Sequence, residues 1–215
     1  ILPLLRKGVR VAEVWAVIEA NVRTPDLVRG DLEAQIAACN SGEREFKDLI
    51  ARYGIETIRE SAEELHRYTE RLTRAEFAAL ADGTYTFIDH LDGLGEHPTP
   101  IRLEVAVTVS GDEITVDWSG SDPQVPGGIN STLPFTKACS YAAIRSIMTQ
   151  DIPNCHGFTV PITVKAQPRT VVNPVFPAPT GARGITGYRM IDCMFGALAK
   201  LVPDRVAADS SGGSS

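Results

Sequence analysis

Several groups of side chains in this sequence have the types and spacing to do chemistry. Asp31 and Gln35 lie four apart, so on a helix both project from one face. A carboxylate and an amide so placed could hold a metal-bound water, a substrate amide or a partner; taken alone they read equally as solvated residues. Gly30 beside them suggests close approach by another group. Asp89-His90-Leu91-Asp92-Gly93, with Glu96 and His97, is a local cluster of oxygen and nitrogen donors suited to a hard or borderline cation. It matches neither an EF-hand loop nor HExxH, and acidic residues with glycine are what a turn uses, so a solvated turn between strands is expected. Asn154-Cys155-His156 sets a thiol beside an imidazole, but adjacent side chains of an extended loop diverge. A cleft-lining or structural loop therefore outweighs a cysteine nucleophile with its base. Gly181, Gly184 and Gly187 surround Arg183 just before an apolar helix, where N–H groups and a guanidinium suit an anion; a plain turn is the competing reading. Arg189 and Asp192, three apart on that helix, suit an ion pair. The Lys-Ser/Thr pair of a Walker A loop is absent, and so is the GxSxG elbow of serine hydrolases.

These groups need elements to hold them. Ile114, Val116 and Trp118 alternate with Thr115, Asp117 and Ser119, the period of a half-buried strand. Ser119 to Pro123 stops it, Pro126-Gly127-Gly128 breaks the chain again, and Asn130 to Met148 reads as a helix. Thr84–Asp89, 101–110 and 113–119 are expected as strands, the last two joined by the Gly111-Asp112 turn. Short strands at 160–165 and 170–172 carry prolines, which places them at edges. A last helix is expected over 188–201. Ahead of the strands, residues 1–21, 27–53 and 55–72 read as helices, and Thr73 with Glu76 as a capping box opening a short helix to Leu80. The fold class is α+β: an N-terminal helical layer over 1–82, then an antiparallel sheet packed with helices over 83–215. The hairpin of 101–119 should bury Val105, Val107, Val116 and Trp118, or the set one residue along, against the helix of 133–148. The connections 119–130 and 179–187 should meet on one side of the sheet, with Asn130 and Arg183 facing inward as one wall of a cleft.

VDWSGSDPQVPGGIN at 116–130 resembles the hydantoinase B family, which includes ATP-dependent N-methylhydantoinases, 5-oxoprolinases and a large subunit of acetone carboxylases. GDLEAQIAA at 30–38, DIPNCHG at 151–157, VNPVFPAP at 172–179 and TGYRMIDCMFGALAKLVPDRVAA at 186–208 extend that resemblance over most of the chain. The resemblance implies hydrolysis of a small cyclic amide after a partner, an actin-like ATPase of hydantoinase A type, phosphorylates its carbonyl oxygen. It implies ATP with Mg on that partner and, in the parent protein, a divalent metal whose ligands lie outside this stretch. No metal ligands are assigned here. The residues placed nearest the chemistry are Asp31, Gln35, Asn130, Asn154, Arg183 and Arg189. Two further readings stay open: a carboxylase component of acetone-carboxylase type, and a non-catalytic assembly segment that docks the ATPase.

Bulk properties narrow the classes. The chain has 215 residues, 43% hydrophobic and 22% charged, with a net charge of −6. That balance offers no surplus of lysine and arginine for nucleic-acid phosphates. No apolar run approaches the roughly 20 residues of a membrane span, and the first residues lack a signal peptide's pattern. Four cysteines without CxxC spacing suggest reduced thiols and a cytoplasmic setting. A start without Met and a Gly/Ser-rich end suggest a stretch of a longer polypeptide, inactive when isolated.

Overall fold

In the computed structural model, which describes residues 2–212, the chain opens on a hairpin instead of the expected helix. β1 (Leu5–Arg6) pairs antiparallel with β2 (Val9–Arg10). Lys7 and Gly8 turn between them at φ 50° and 81°, the left-handed pair that a two-residue loop demands. Local turn chemistry thus overrides the apolar spacing, and helix begins only at α1 (Ala12–Asn21). Trp15 is buried there; its indole N–H donates to the Leu4 carbonyl at 3.0 Å, while the Arg10 guanidinium stacks 4.9 Å from its ring. α2 (Pro25–Tyr53) starts on a proline, whose missing N–H would be unsatisfied in a first turn anyway. It ends at Gly54, φ 78°, whose N–H returns to the Ile50 carbonyl. No residue of α2 is buried, and Phe46, Leu49 and Tyr53 stay exposed.

α3 (Ile55–Ala78) is one continuous helix. The expected cap at Thr73 does not form, because its hydroxyl donates back to the Thr69 carbonyl at 2.8 Å. Glu76, only 6% exposed, accepts from the Thr149 N–H and hydroxyl instead of capping anything. The chain parts into two compact units inside this helix, Ile1–Ser61 and Ala62–Ser215, while the change from helix to strand falls at 82–83.

The second unit is built on four strands: β3 (Gly83–Leu91), β4 (Ile101–Ser110), β5 (Glu113–Asp117) and β6 (Ile162–Lys165), in that spatial order. β3, β4 and β5 are antiparallel neighbours, and Ser110 opposite Glu113 closes the expected hairpin. β6 lies at the edge, as its prolines require, but runs parallel to β5. Parallel neighbours need a crossover, and α4 (Leu133–Ser146) supplies it. α5 (Arg183–Leu201) lies across β3 and β4 with α4 beside it. Val105, Val107, Val116 and Trp118 are fully buried, the alternating set expected. The layer over the hairpin is shared, however: α5 covers β4, and Trp118 reaches α4 through an indole N–H bond to the Ser140 hydroxyl at 3.0 Å.

Two glycines explain how tightly that layer sits. A Cβ on Gly187 would strike the Phe135 ring at 2.6 Å, and one on Gly196 the Phe87 ring at 2.5 Å. α5 starts a full turn before the expected Tyr188, so Gly184 and Gly187 are helical; Gly187 serves packing, whereas a Cβ on Gly184 would meet open space.

Candidate functional site

The two glycine-rich connections do meet, and Asn130 is what joins them. Fully buried, its carboxamide oxygen accepts the Val125 N–H at 2.9 Å. Its nitrogen donates to the carbonyls of Val125, Gly127 and Pro179 at 2.8–2.9 Å. The Ala182 N–H adds a bond to the Gly128 carbonyl at 2.8 Å, and the Thr186 hydroxyl one to Ile129. Residues 125–130 and 179–186 are therefore one knitted wall. Asn130 faces inward, but into backbone: both its N–H groups are spent on carbonyls, and its oxygen already accepts a backbone N–H.

Arg183 is exposed at the first turn of α5, its guanidinium 5.5 Å from the Phe135 ring and 3.4 Å from the Thr180 carbonyl. It is the one cation of this wall whose charge has no carboxylate partner among the described residues. Arg189 differs. It spans Asp89 at 3.4 Å and Asp192 at 3.7 Å. Asp89 was expected to end a strand and to join a cluster read as a solvated turn; it sits within β3 opposite Leu103, on the face that α5 covers. A lone inward carboxylate there would be costly, and Arg189 supplies its counter-charge. Asp192, 3% exposed, also accepts from the Ser210 N–H and hydroxyl. This ion-paired set ties sheet, helix and C-terminal segment together.

Beside the wall, Asp122 to Pro126 face Leu94, His97 and Thr99 across an open recess of about 490 Å³. Asp122 accepts the Arg102 N–H at 2.7 Å, and the Gln124 amide pairs with the Val175 backbone at both ends. Neither residue was singled out from the sequence; their neighbours from 169–175 are remote along the chain and left no local signal. His97 lines this recess, and no group of three His, Cys, Asp or Glu side chains fit to hold a metal occurs among the described residues.

The loop of Asn154, Cys155 and His156 packs on α3. The Cys155 sulfur lies 3.2 Å from the Thr69 hydroxyl, whereas His156 turns away to Thr159 at 3.2 Å and sits edge-on to the His66 ring. The thiol and the imidazole have different partners, with no hydrogen bond between them among the described residues, and Asn154 is exposed. Asp31 and Gln35 are exposed on α2 and belong to the first unit, whereas the other candidates belong to the second. Among the described residues nothing approaches Gly30: a Cβ there meets open space.

Burial pushes the Cys193 thiol up to about 12, with Asp89 adding to the effect, and the Cys139 thiol up to about 11. Both are inert core groups at neutral pH.

A family model described as hydantoinase B/oxoprolinase matches residues 1–215. The chain belongs to the hydantoinase B/oxoprolinase family. A protein of Pseudomonas sp. (strain NS671), provisionally named as the B component of a D-/L-hydantoinase, is 38% identical over 94% of the chain and 36% of its own length. The beta component of caprolactamase from Pseudomonas jessenii is 30% identical over 95% of the chain and 36% of that protein. The crystal structure of ATP-dependent caprolactamase from Pseudomonas jessenii superposes with a TM-score of 0.86, at 28% identity, over 95% of the chain and 36% of that structure. A nucleotide-free acetone carboxylase structure shares the fold at TM-score 0.83 and 15% identity, over 99% of the chain and 30% of its own. The chain thus spans about a third of the length of each of these four proteins. No described helix is long and apolar enough to cross a membrane.

Proposed function

We propose that this chain is part of the B-type component of an ATP-dependent cyclic amide hydrolase, acting with an actin-like ATPase partner that carries ATP and Mg. The observation that carries this reading is the family match along the whole chain, joined to its likeness to the beta component of a caprolactamase. The chemistry explains the need for two parts. An amide carbon is a poor electrophile, and moving phosphate onto its oxygen makes water attack feasible. Donors aimed at the developing charge then supply most of the stabilisation. On the wall of 125–130 and 179–186, Arg183 is the cation that would meet a phosphoryl or oxyanion oxygen, and exposed Asn154 is a second polar contact. Asn130 and Arg189 act through position: the first holds the two connections together, the second holds α5 to β3. Asp31 and Gln35, on the other unit, are kept as candidate contacts to substrate or to the ATPase.

The test uses the complete parent protein with its ATPase. ADP release should require a cyclic amide (hydantoin, 5-oxoproline or a lactam) and match formation of the ring-opened product. ATP hydrolysis indifferent to every cyclic amide would overturn the reading, and stimulation by a ketone with bicarbonate would replace it with the carboxylase. Arg183→Ala should lower turnover by about ten-fold or more, equivalent to at least about 1.4 kcal/mol of transition-state stabilisation.

A further inference from the structure

The two outer sides of the second unit differ in kind. On the sheet face alternate to Val105 and Val107, Thr84, Thr108, Thr115 and Thr163 stand in one register row across all four strands. The Thr84 and Thr108 hydroxyls lie 2.9 Å apart, and Arg102 pairs with Glu104 on the same face. A sheet face of that composition is suited to water.

The outer side of the helix layer is the reverse. Between α4 and α5 runs a groove of about 340 Å³, with Phe135, Cys139 and Gly187 deep in it and Ala138, Ala142 and Tyr188 exposed along it. No charged side chain lines it among the described residues, and Ile185 beside it is 43% exposed. The charges of the two helices go elsewhere. Arg145 turns to the Ile152 carbonyl and the Phe158 ring, and Lys137 lines a separate recess with Ser119 and Gln167. Arg189 and Asp192 pair with each other, and Lys200 reaches the Thr86 carbonyl. Only Arg183 stands at the groove, its guanidinium 5.5 Å from the Phe135 ring. Helices apolar toward the sheet and uncharged on the opposite side form an inner layer, not an outer one.

The shape and chemistry of the groove select what covers it. In a two-fold contact a second copy would present the same patch, so concave would meet concave and leave the groove unfilled. An interface with a separately folded, exchanging subunit is about as polar as ordinary surface, which this stripe is not. A helix has the convex ridge that fits, and the small side chains of Ala138 and Ala142 with Gly184 allow its close approach. The relatives hold ample chain to supply one, since the matched stretch is about a third of each. We propose that the α4–α5 groove is the seat of an apolar helix from the rest of the parent polypeptide, which makes α4 and α5 the middle layer of three. This rests on the reading of the chain as part of a longer B-type component.

The experiment uses the complete parent protein without substrate or nucleotide, so it stands or falls separately from amide-dependent ADP release. With p-benzoylphenylalanine in place of Tyr188, irradiation should link that residue to a peptide of the same polypeptide outside residues 1–215. That peptide should carry apolar residues three and four apart. Mixed isotope-labelled and unlabelled copies separate a link within one chain from one between two. In a second variant, Ala142→Cys, alkylation at residue 142 should be about ten-fold or more slower in the native protein than in urea. Protection below about ten-fold would overturn the proposal, as would the absence of any link. A link to the ATPase, to a second copy, to residues 1–215 or to a segment without helical spacing would overturn it equally.

Discussion

Asn130→Ala separates a residue that builds the wall from one that touches a ligand. The side chain makes one accepted bond and donates to three carbonyls, all at 2.8–2.9 Å, at a position with no exposure. Two N–H groups serve those three carbonyls, so roughly two donated bonds at about 1 kcal/mol each are lost. The Val125 N–H is left without its acceptor, which costs a further ~1–3 kcal/mol when no water reaches it. The expected loss is about 3–5 kcal/mol, large for a single substitution. Urea unfolding of the chain should show the midpoint falling by about 1–5 M, given slopes of about 1–3 kcal/mol per M. Asn130→Asp keeps an acceptor for Val125 but turns a carboxylate toward three carbonyls, so it should be no milder than Ala. A loss below about 1 kcal/mol for Asn130→Ala would refute the reasoning, because those backbone groups would then have other partners. If the figure holds, any fall in turnover of an Asn130 variant in the parent enzyme reports a loosened wall.

Two glycines should respond oppositely to alanine. Gly157→Ala places a Cβ 2.1 Å from the His66 carbonyl oxygen, a backbone atom, and should cost about 1–3 kcal/mol or more by overpacking; an unchanged melting temperature would mean the 154–159 loop is not seated on α3. Gly30→Ala meets open space on α2 and should stabilise by about 0.5–1 kcal/mol through helix propensity alone, so a loss there would reveal a close neighbour. The thiols should divide by burial. At about pH 8, exposed Cys39 should react with a disulfide reagent at once, and Cys139 and Cys193 only as fast as the fold opens. The raised thiol pKa values also set an alkaline limit. Below 9.0, the ordinary thiol value, folded and unfolded chains hold the same protons; above it the unfolded chain loses them first. Stability should therefore decline as pH rises from 9.0 through about 11 and 12, and Cys139→Ala with Cys193→Ala should flatten that decline.

Much of this protein is written locally. The alternation of Val105, Val107, Val116 and Trp118 determines which face of the hairpin is buried, because successive strand residues point to opposite sides. The Gly111-Asp112 turn sets the register, and prolines around β6 put it at an edge. Each of these depends on a few neighbouring residues. The family, too, was legible from runs of sequence in order. What eluded a sequence reading depends on groups far apart in the chain. The hairpin at Lys7-Gly8 lies inside an apolar stretch whose spacing also suits a helix. The direction of β6 is decided by the path of α4, not by its own four residues. Asp89 looks like a turn residue until Arg189, a hundred positions later, arrives beside it as counter-charge. Asn130 reads as a polar cleft residue, and only the arrival of the Pro179 carbonyl shows its N–H groups to be spent on backbone. Periodicity and turn chemistry are properties of neighbours, so the sequence alone determines faces, turns and edges. Satisfaction of buried polar groups and the gathering of charge are properties of contact, and those the tertiary structure decided.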